Sequence, residues 1–580
     1  MCSIPHLCIV NASTYNCTLG TGVRPIGVGE VLRRIMGKAV SWELKEDIKD
    51  ATGPLQTCAG HGAGAEAAIH AMKIIYDDEG SDAVLLIDAT NAFNSMNRQA
   101  ALHNIQIKCP SIACYLINTY RQPSRLFVAG GAEISSQEGT TQGDPLAMAW
   151  YSVNTNVLIT RLQTENPSFK QAWLADDAAA GGKLECLLNW YNNLTDEGAP
   201  FGYLVNGSKS WLLVKSPVLA NRAKEIFGDK VNITVDGQRH LGAVLGSKSY
   251  KDSYCKSKVQ KWAEELVQLS VIAKTQPQAA FIGFTKGFTS KFTHFLRTIE
   301  GFEEYQEPLQ EIISESFVPA LFGENTPLPQ HMMDLLSLPI SKGGLNIPSL
   351  KEEAPIQFSA SVSITSAHVE SILAQEQILR EVNSEGTDQM TLKSRYLKDK
   401  QERMKAKEDR IMNSLPPGSQ TFAKQSRDKG ASSWLNAIPL EDRGFQLSKE
   451  DFKDALRLRY NIPLQNLPIN CICGDRFNVE HALSCKRGGF INMRHDNVRD
   501  LFTCLLDRVC NNVQAEPHLT PLTGEVFDHR TANTSREARL DIRARSFWRR
   551  GQDAFFDIRI THVNAASHRH LGTETIFLRQ

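Results

Sequence analysis

Two short stretches decide the predicted fold: LLIDATNAF at residues 85–93 and LADDA at residues 174–178. In each of them a carboxylate follows an apolar run, as it does where a buried strand ends at the edge of a sheet. The acids are Asp88 in the first stretch, and Asp176 and Asp177 in the second. Three carboxylates brought together suit two hard divalent cations, and such a pair stabilises both the attacking and the leaving oxygen of a phosphoryl transfer. The sequence therefore predicts a two-metal site.

Further stretches surround these acids. GTTQGDPL at residues 139–146 is a glycine-rich turn before a helix predicted at residues 147–162, and such a turn lets the backbone approach a nucleotide or template. GYLVNGSK at residues 202–209 is a turn with Lys209 at its end, and Arg24 supplies a fixed cation early in the chain. Taken singly, each of these would be an ordinary turn or surface charge. Their order along one chain makes them informative.

This order resembles the reverse transcriptase family. Asp88 with Ala92-Phe93 is similar to the first carboxylate motif of the family, and QGDP at residues 142–145 to its template and nucleotide-positioning motif. ADD at residues 175–177 is similar to its metal-binding hairpin, the segment 202–209 to its lysine motif, and HLG at residues 240–242 with Leu245-Gly246 to the next hairpin. The resemblance implies an α+β fold, with a right-hand polymerase palm, partial fingers and a helical thumb.

The resemblance also implies roles for individual residues. Two Mg²⁺ ions are implied at Asp88, Asp176 and Asp177, and a catalytic role at Lys209. Phe93 would exclude a ribose 2′-hydroxyl, and nucleotide contacts are implied for Arg24, Gln142 and Gly143. The implied partners are an RNA template, a DNA target or primer, and dNTPs.

Two features depart from the family. Leu174 stands where the family usually carries Tyr or Phe, and residues 1–22 contain no lysine or arginine. The first 23 residues are thus expected to be an unrelated leader or truncated fingers. An inactive nucleic-acid-binding remnant remains the alternative to an active enzyme. An RNA-dependent RNA polymerase is a third alternative, which the bulky ring of Phe93 disfavours.

A second metal site is predicted near residue 480. Cys471, Cys473, His481 and Cys485 offer three thiols and one imidazole, which suit closed tetrahedral Zn²⁺. The cysteine pair is expected on a tight turn with Gly474, and the other two ligands on one helical face, with His495 as a substitute. Buried free cysteines with a core histidine are the alternative. Together with RHD at residues 494–496, this group resembles the Cys-Cys-His-Cys knuckle of non-LTR retrotransposons that carry a C-terminal restriction-like endonuclease.

That resemblance extends to the end of the chain. Asp541 and Asp557 are similar to the magnesium-binding acids of the restriction-like core, Glu516 is a candidate additional acid, and Arg559 takes the usual lysine position. An ordinary strand with an ion pair at its edge is the alternative for this segment. Nearby basic and aromatic residues form a predicted phosphate-binding patch, for which a solvated loop is the alternative. The patch contains Arg536, Arg539, Arg543, Arg545, Phe547, Trp548, Arg549 and Arg550.

Composition sets the remaining expectations. The 580 residues carry zero formal net charge, so nucleic-acid binding must come from local basic patches. Thirteen cysteines in so long a chain indicate a reducing compartment, no apolar run is long enough for a membrane span, and a nuclear location would give access to genomic DNA. The predicted domains are 1–23 leader or truncated fingers, 24–245 fingers and palm, 246–380 thumb, 381–445 charged linker, 446–500 zinc knuckle region, and 501–580 restriction-like endonuclease, either complete or lacking its last elements.

Overall fold

The computed structural model describes residues 6–8, 27–128, 133–141, 143–165, 167–518 and 539–562. The chain divides into two compact units, Met1–Lys453 and Asp454–Gln580. Helices and small sheets alternate through the first unit, which confirms the predicted mixed α+β class at that level. Among the described helices, none combines the length and the apolar character that a membrane crossing needs.

The first unit begins with a mixed region. Its elements are β1 (His6–Cys8), β2 (Gly27–Val28), α1 (Val31–Glu43), α2 (Lys45–Thr52), α3 (Gly64–Asp77), β3 (Ala83–Ile87), α4 (Ala92–Ser95), α5 (Arg98–Lys108), α6 (Pro110–Tyr120), β4 (Ser124–Val128), β5 (Glu133–Ser136), α7 (Ala147–Glu165), β6 (Lys170–Leu174), β7 (Asp177–Gly182), α8 (Leu184–Gly198), β8 (Trp211–Val214), α9 (Pro217–Phe227), β9 (Asn232–Thr234), β10 (Gly237–His240) and β11 (Ala243–Gly246).

A helical region follows. It contains α10 (Lys248–Thr275), α11 (Pro277–Ile282), α12 (Thr289–Thr298), α13 (Glu307–Ile312), α14 (Val318–Phe322), α15 (Gln330–Leu336), α16 (Leu350–Leu373), α17 (Gln389–Ser414), α18 (Pro417–Gln425) and α19 (Lys449–Arg459). Short 3₁₀ turns lie at Ala199–Phe201, Gly207–Lys209, Phe302–Glu304, Ile340–Lys342, Ser433–Asn436 and Glu441–Arg443, and π-helical turns at Gly283–Phe288 and Ile313–Phe317. The change from mixed to helical structure falls between β11 and α10, near the sequence-based boundary at residue 245.

The central sheet has five strands in the order β6-β7-β3-β8-β9. Strand β3 pairs antiparallel with β7 on one side and β8 on the other, and all five of its residues are buried. Its sequence AVLLI is continuously apolar because both faces are covered, with α3 and α16 contributing to the same core as α7 and α8. The predicted helix at residues 147–162 is confirmed as α7, and the predicted hairpin at residues 240–242 as β10–β11.

Helix α3 joins the sheet to the helical region through buried polar contacts. Glu66 accepts two hydrogen bonds from the guanidinium of Arg297 on α12, both at 2.7 Å. The Ser361 hydroxyl of α16 donates to the same carboxylate at 2.6 Å and contacts Nε2 of His70 at 2.9 Å. Because the three helices share one hydrogen-bonded chain, the helical region has a defined position on the central sheet.

The segment predicted as a charged linker, residues 381–445, belongs to the first compact unit. Its main element, α17, was expected as a solvated helix and is indeed largely exposed. However, Leu392 and Ile411 are buried near its ends, and Lys407 pairs with Glu352 of α16 at 2.8 Å. These contacts fix α17 against α16, so it is a packed helix rather than a free connection.

The second unit is smaller. It begins within α19, at Asp454, and then contains α20 (Val479–Ser484), α21 (Phe490–Asp507), β12 (Asn511–Ala515), β13 (Ile542–Arg545) and β14 (Asp553–Phe556). The three strands form an antiparallel sheet in chain order, and Ile542 and Ala544 form a small core with Leu506 of α21. Sequence predicted a buried strand at residues 554–560. The strand instead ends at Phe556, with Phe555 44% exposed, because only one face of this sheet meets α21.

Candidate active site and metal centre

The acids of the two opening stretches lie at the same end of the central sheet. Ile87 of β3 pairs with Ala178 of β7, so Asp88 and Asp177 are the next residues at that end. Asp176 lies in the two-residue turn between β6 and β7. Asp88 and Asp176 are half-buried, and Asp177 is exposed. The antiparallel register therefore brings Asp88 to the same end of the sheet as Asp176 and Asp177, which follow it by 88 and 89 positions in sequence.

The buried phenol of Tyr203 lies close to the three aspartates. Its hydroxyl donates to the carbonyl oxygen of Asp176 at 2.7 Å. Burial raises the pKa of Tyr203 well above its usual range, and the charges of Tyr151 and of the three aspartates raise it further. Among the described residues, the Cys, His, Asp and Glu side chains grouped closely enough to hold one metal ion are those of the Cys/His cluster in the second unit, not these three carboxylates.

The turn that carries Asp176 is held by a side chain from a distant segment. Ala175 has a left-handed backbone, with a φ of 57°. Gln56, which is completely buried, accepts a hydrogen bond from the Ala175 amide at 2.9 Å and donates to its carbonyl at 3.0 Å. The same side chain donates to the hydroxyl of Thr155 at 2.9 Å. Gln56 thus satisfies both backbone groups of the residue before the acidic pair.

Replacing Gln56 with leucine is expected to lower the free energy of unfolding by about 2–4 kcal/mol, because two buried backbone groups lose their partners. Chemical denaturation followed by circular dichroism measures the change. Gln260→Leu is the matched control, since Gln260 is exposed on α10. Equal changes in the two variants would show that Gln56 does not hold this turn.

The segment with Lys209 lies directly beside Asp88. The Asn206 amide donates to the Asp88 carbonyl at 2.8 Å, and the Asp88 amide donates to the Ser210 hydroxyl at 3.1 Å. Lys209 itself is exposed, one residue before Ser210. Gly202, at the start of this segment, has a φ of 78°, and a Cβ there would lie 1.9 Å from the carbonyl oxygen of Ser95. Only glycine allows this close approach.

Two aromatic rings stack near the acids. Phe93 lies against Tyr151 of α7, with ring centroids 4.3 Å apart and planes inclined by 25°. Tyr151 is 2% exposed, and its hydroxyl has no hydrogen-bond partner among the described atoms. Burial raises the pKa of Tyr151 well above its usual range, with further contributions from the charges of Asp176 and Asp177. The stack therefore fixes the Phe93 ring at the acidic end of the sheet.

The glycine-rich turn is anchored beside Phe93. The Thr140 amide donates to the Phe93 carbonyl at 2.8 Å. Asp144, whose side chain is 3% exposed, accepts from Arg33 of α1 at 2.6 Å and from the hydroxyl of Tyr120 at 2.9 Å. Asp144 is thus a structural anchor of the turn. Gly143 has a φ of 110°, whereas Gln142 and Arg24 lie outside the described residues.

In the second unit, the predicted zinc ligands come together. The Sγ atoms of Cys471 and Cys485 are 3.9 Å apart, and Sγ of Cys473 lies 3.2 Å from Nε2 of His481. All four ligand atoms lie within 4.8 Å of one another, which suits a single tetrahedral metal ion such as Zn²⁺. A Cys₃His group of this geometry could therefore hold the metal.

Local turns bring these four ligands together. The Gly474 amide donates to the carbonyl of Cys471 at 2.9 Å, with a φ of 96° at Gly474, which confirms the predicted tight turn. His481 lies in the first turn of α20, where its amide is capped by the side chain of Asn478. Cys485 was expected on the same helical face, but α20 ends at Ser484 and Cys485 follows in extended conformation.

The electrostatics favour one thiolate in the group. Burial opposes the ionisation of Cys485, but hydrogen bonds from the Arg487 and Gly488 amides and from the two other thiols outweigh it and lower its pKa to about 7. A thiolate is the form of cysteine that binds metal.

The candidate nuclease acids also meet at one end of a sheet. Ile542 of β13 pairs with both Ala515 of β12 and Phe556 of β14. The next residues beyond this row are Glu516, Asp541 and Asp557, which therefore lie at the same end of the sheet. The Glu516 amide donates to the Asp541 carbonyl at 2.8 Å. Arg559 is exposed, with its Nε 3.6 Å from Asp557.

Helix α21 adds two side chains to this edge that sequence reasoning did not assign to it. Nε2 of His495 lies 3.3 Å from Oδ1 of Asp541, and His495 is not among the four grouped ligands of the Cys/His cluster. Arg499 pairs with Glu516 and also with Asp496, the latter at 3.1 Å. The helical spacing from His495 to Arg499 is the signal that could have indicated a shared face.

The basic patch is only partly described. Arg545, Arg549 and Arg550 are exposed, as is Trp548 at 78%, whereas Arg536 lies outside the described residues.

Comparisons with known proteins add little. No protein-family model matches this chain, and no curated protein matches it. Among solved structures, the telomerase of Candida albicans in complex with a fragment of telomeric RNA is similar at 11% sequence identity, with a TM-score of 0.28. The alignment covers 60% of this chain and 60% of the telomerase chain.

Proposed function

We propose that this chain is an RNA-directed DNA polymerase that extends a primer with dNTPs on an RNA template. The observation that carries the proposal is the gathering of Asp88, Asp176 and Asp177 at one end of the central sheet. Structural packing gives no reason to gather three carboxylates, whereas oxygen donors of this kind suit two Mg²⁺ ions. Bound Mg²⁺ would stabilise charge on the attacking and leaving oxygens.

The surrounding residues have distinct roles in this proposal. Lys209, exposed beside the Asp88 segment, supplies a positive charge to the phosphates of the incoming nucleotide. The ring of Phe93, fixed by its stack on Tyr151, lies against the sugar and excludes a 2′-hydroxyl. Gly143 lets the backbone approach the nucleotide, and Arg24 and Gln142 complete the proposed nucleotide contacts.

Primer extension by the full chain tests the proposal. A labelled DNA primer on an RNA template is incubated with Mg²⁺ and either dNTPs or NTPs, and we expect extension with dNTPs. Efficient extension with NTPs would support an RNA-dependent RNA polymerase instead. Absence of any incorporation, together with intact RNA binding, would support the inactive nucleic-acid-binding remnant.

A second activity is supported by a separate observation. We propose that the second unit nicks DNA, because Glu516, Asp541 and Asp557 share one sheet edge with His495 and the cation of Arg559. Asp541 and Asp557 would hold a divalent cation there. Arg559 keeps its proton and therefore stabilises charge without transferring protons. A nick in target DNA would expose the 3′-hydroxyl from which the first unit copies RNA, as in a non-LTR retrotransposon acting in the nucleus.

Asp541→Asn is expected to reduce nicking of supercoiled plasmid by about a thousand-fold, since a catalytic metal contributes several kcal/mol to transition-state stabilisation. Gel electrophoresis of plasmid incubated with Mg²⁺ measures the rate. Asp553→Asn is the matched control, because Asp553 is exposed at the opposite end of β14. Equal nicking by Asp541→Asn and the unmodified chain would remove Asp541 from the site.

A further inference from the structure

The groove between α16 and α17 is lined by basic side chains that take no part in the proposed polymerase site. It encloses about 550 Å³ and is lined on its α17 side by Lys400, Arg403, Lys407 and Arg410. Their spacing of three and four residues puts them on one helical face. The stripe extends over about 15 Å at the rise of an α-helix. Lys351 of α16 adds a fifth cation to the lining.

The positive charge of this groove is only partly neutralised. Lys407 and Arg410 both contact Glu352, at 2.8 Å and 3.7 Å. Lys400 and Arg403 are exposed and form no ion pair with any residue in the described part of the chain. A chain with zero formal net charge must bind nucleic acid through such local patches. An unneutralised basic stripe in a groove is the electrostatic pattern of a phosphate-binding surface.

Two other lining residues narrow the class of ligand. Tyr396, at one end of the stripe, offers a ring on which an unpaired base can stack. Glu353 lies among the cations and would repel a phosphate, yet its carboxylate can accept a hydrogen bond from a ribose 2′-hydroxyl. Phosphate-binding cations, an aromatic ring and a hydroxyl acceptor together match a single RNA strand better than a DNA strand or a duplex.

We propose that the α16–α17 groove binds single-stranded RNA. The phosphates lie along the stripe from Lys400 to Arg410, and a base stacks on Tyr396. This binding goes beyond the proposed polymerase activity and does not depend on it, because it requires neither nucleotides nor divalent cations.

The test measures binding of a fluorescent 12-nucleotide RNA to the full chain by anisotropy, without Mg²⁺ or dNTPs. For a single strand, each phosphate contact contributes about 0.7 to the slope of log K against log[salt], where K is the binding constant. Removing two contacts should therefore lower the affinity by about 25-fold at 0.1 M salt. We expect this loss for the double variant Lys400→Gln/Arg403→Gln. Lys398→Gln/Lys405→Gln is the matched control, with the same charge change on the opposite, exposed face of α17. Equal losses in the two variants would overturn the proposal.

Two further measurements give the ligand and the site. RNA containing 4-thiouridine should crosslink to the segment around Tyr396, and Tyr396→Ala should weaken binding more than Tyr396→Phe, which keeps the ring. DNA of the same sequence should bind more weakly. Equal binding of RNA and DNA, or crosslinks confined to residues outside α16 and α17, would contradict the proposal. Because no synthesis is measured, failure here and failure of the polymerase assay are separate results.

Discussion

Asp176→Asn is expected to reduce primer extension on an RNA template by about a thousand-fold or more. The substitution removes a negative charge but keeps the size of the side chain, and metal-assisted transfer loses several kcal/mol when a ligand is lost. The turn itself should persist, because Gln56 binds the backbone of Ala175 and Tyr203 binds the Asp176 carbonyl, not its side chain. Single-turnover extension with labelled primer measures the rate.

The losses of primer-extension rate caused by Asp88→Asn and by Asp176→Asn are expected not to be additive. If both residues hold the same pair of metal ions, the double variant should be about as inactive as either single variant. Asp229→Asn is the control, because Asp229 is exposed in the loop between α9 and β9. If Asp176→Asn leaves DNA synthesis unchanged, Asp176 is not a metal ligand. The inactive nucleic-acid-binding remnant would then explain the chain better.

The central sheet could be foreseen in part from the sequence. The apolar run before Asp88 indicates a buried strand because that signal is local, whereas the hairpin at residues 175–177 was predicted from the resemblance to the reverse transcriptase family. The clamp by Gln56 could not be foreseen. It joins residues 119 positions apart, and a single glutamine carries no periodicity that would indicate its partner. Tyr203 and Tyr151 were missed for the same reason, since each resembles an ordinary core aromatic.

For the charged segment at residues 381–445, the sequence predicts the helix but not its packing. Its composition correctly predicts a largely solvated helix at residues 391–412, and α17 covers this range. Whether such a helix is free or packed depends on a few positions, here Leu392 and Ile411, and on the ion pair from Lys407 to Glu352. Two apolar residues in a long polar helix are too weak a pattern to indicate packing against α16.

In the second unit, chemistry was easier to foresee than local geometry. Three thiols and an imidazole within 15 residues indicate a metal site independently of the local backbone conformation. The end of α20 before Cys485 depends on one turn and could not be read from spacing alone. His495 was considered as a substitute zinc ligand because it is close to the cysteines in sequence, whereas its contact with Asp541 is long-range and could not be foreseen.

Removal of zinc is expected to abolish cooperative unfolding of the second unit while the first unit keeps its own transition. Structural Zn²⁺ contributes about 10–16 kcal/mol of binding free energy in zinc-finger peptides, and this energy becomes folding energy where the site forms only in the folded state. The small core around Leu506, Ile542 and Ala544 leaves little to replace it. One zinc ion per chain should be found by atomic absorption, and 1,10-phenanthroline should remove it.

Cysteine variants distinguish this site from general thiol chemistry. Cys473→Ser should lose the zinc and make the second unit sensitive to proteolysis, because a hydroxyl is a poor substitute for a thiolate ligand. Cys504→Ser should keep the zinc, since Cys504 is exposed on α21 and outside the ligand group. If both variants retain one zinc per chain, or both lose it, the four ligands are not those assigned. Proteolysis of the chelated chain that leaves the second unit intact would show that its fold does not depend on metal.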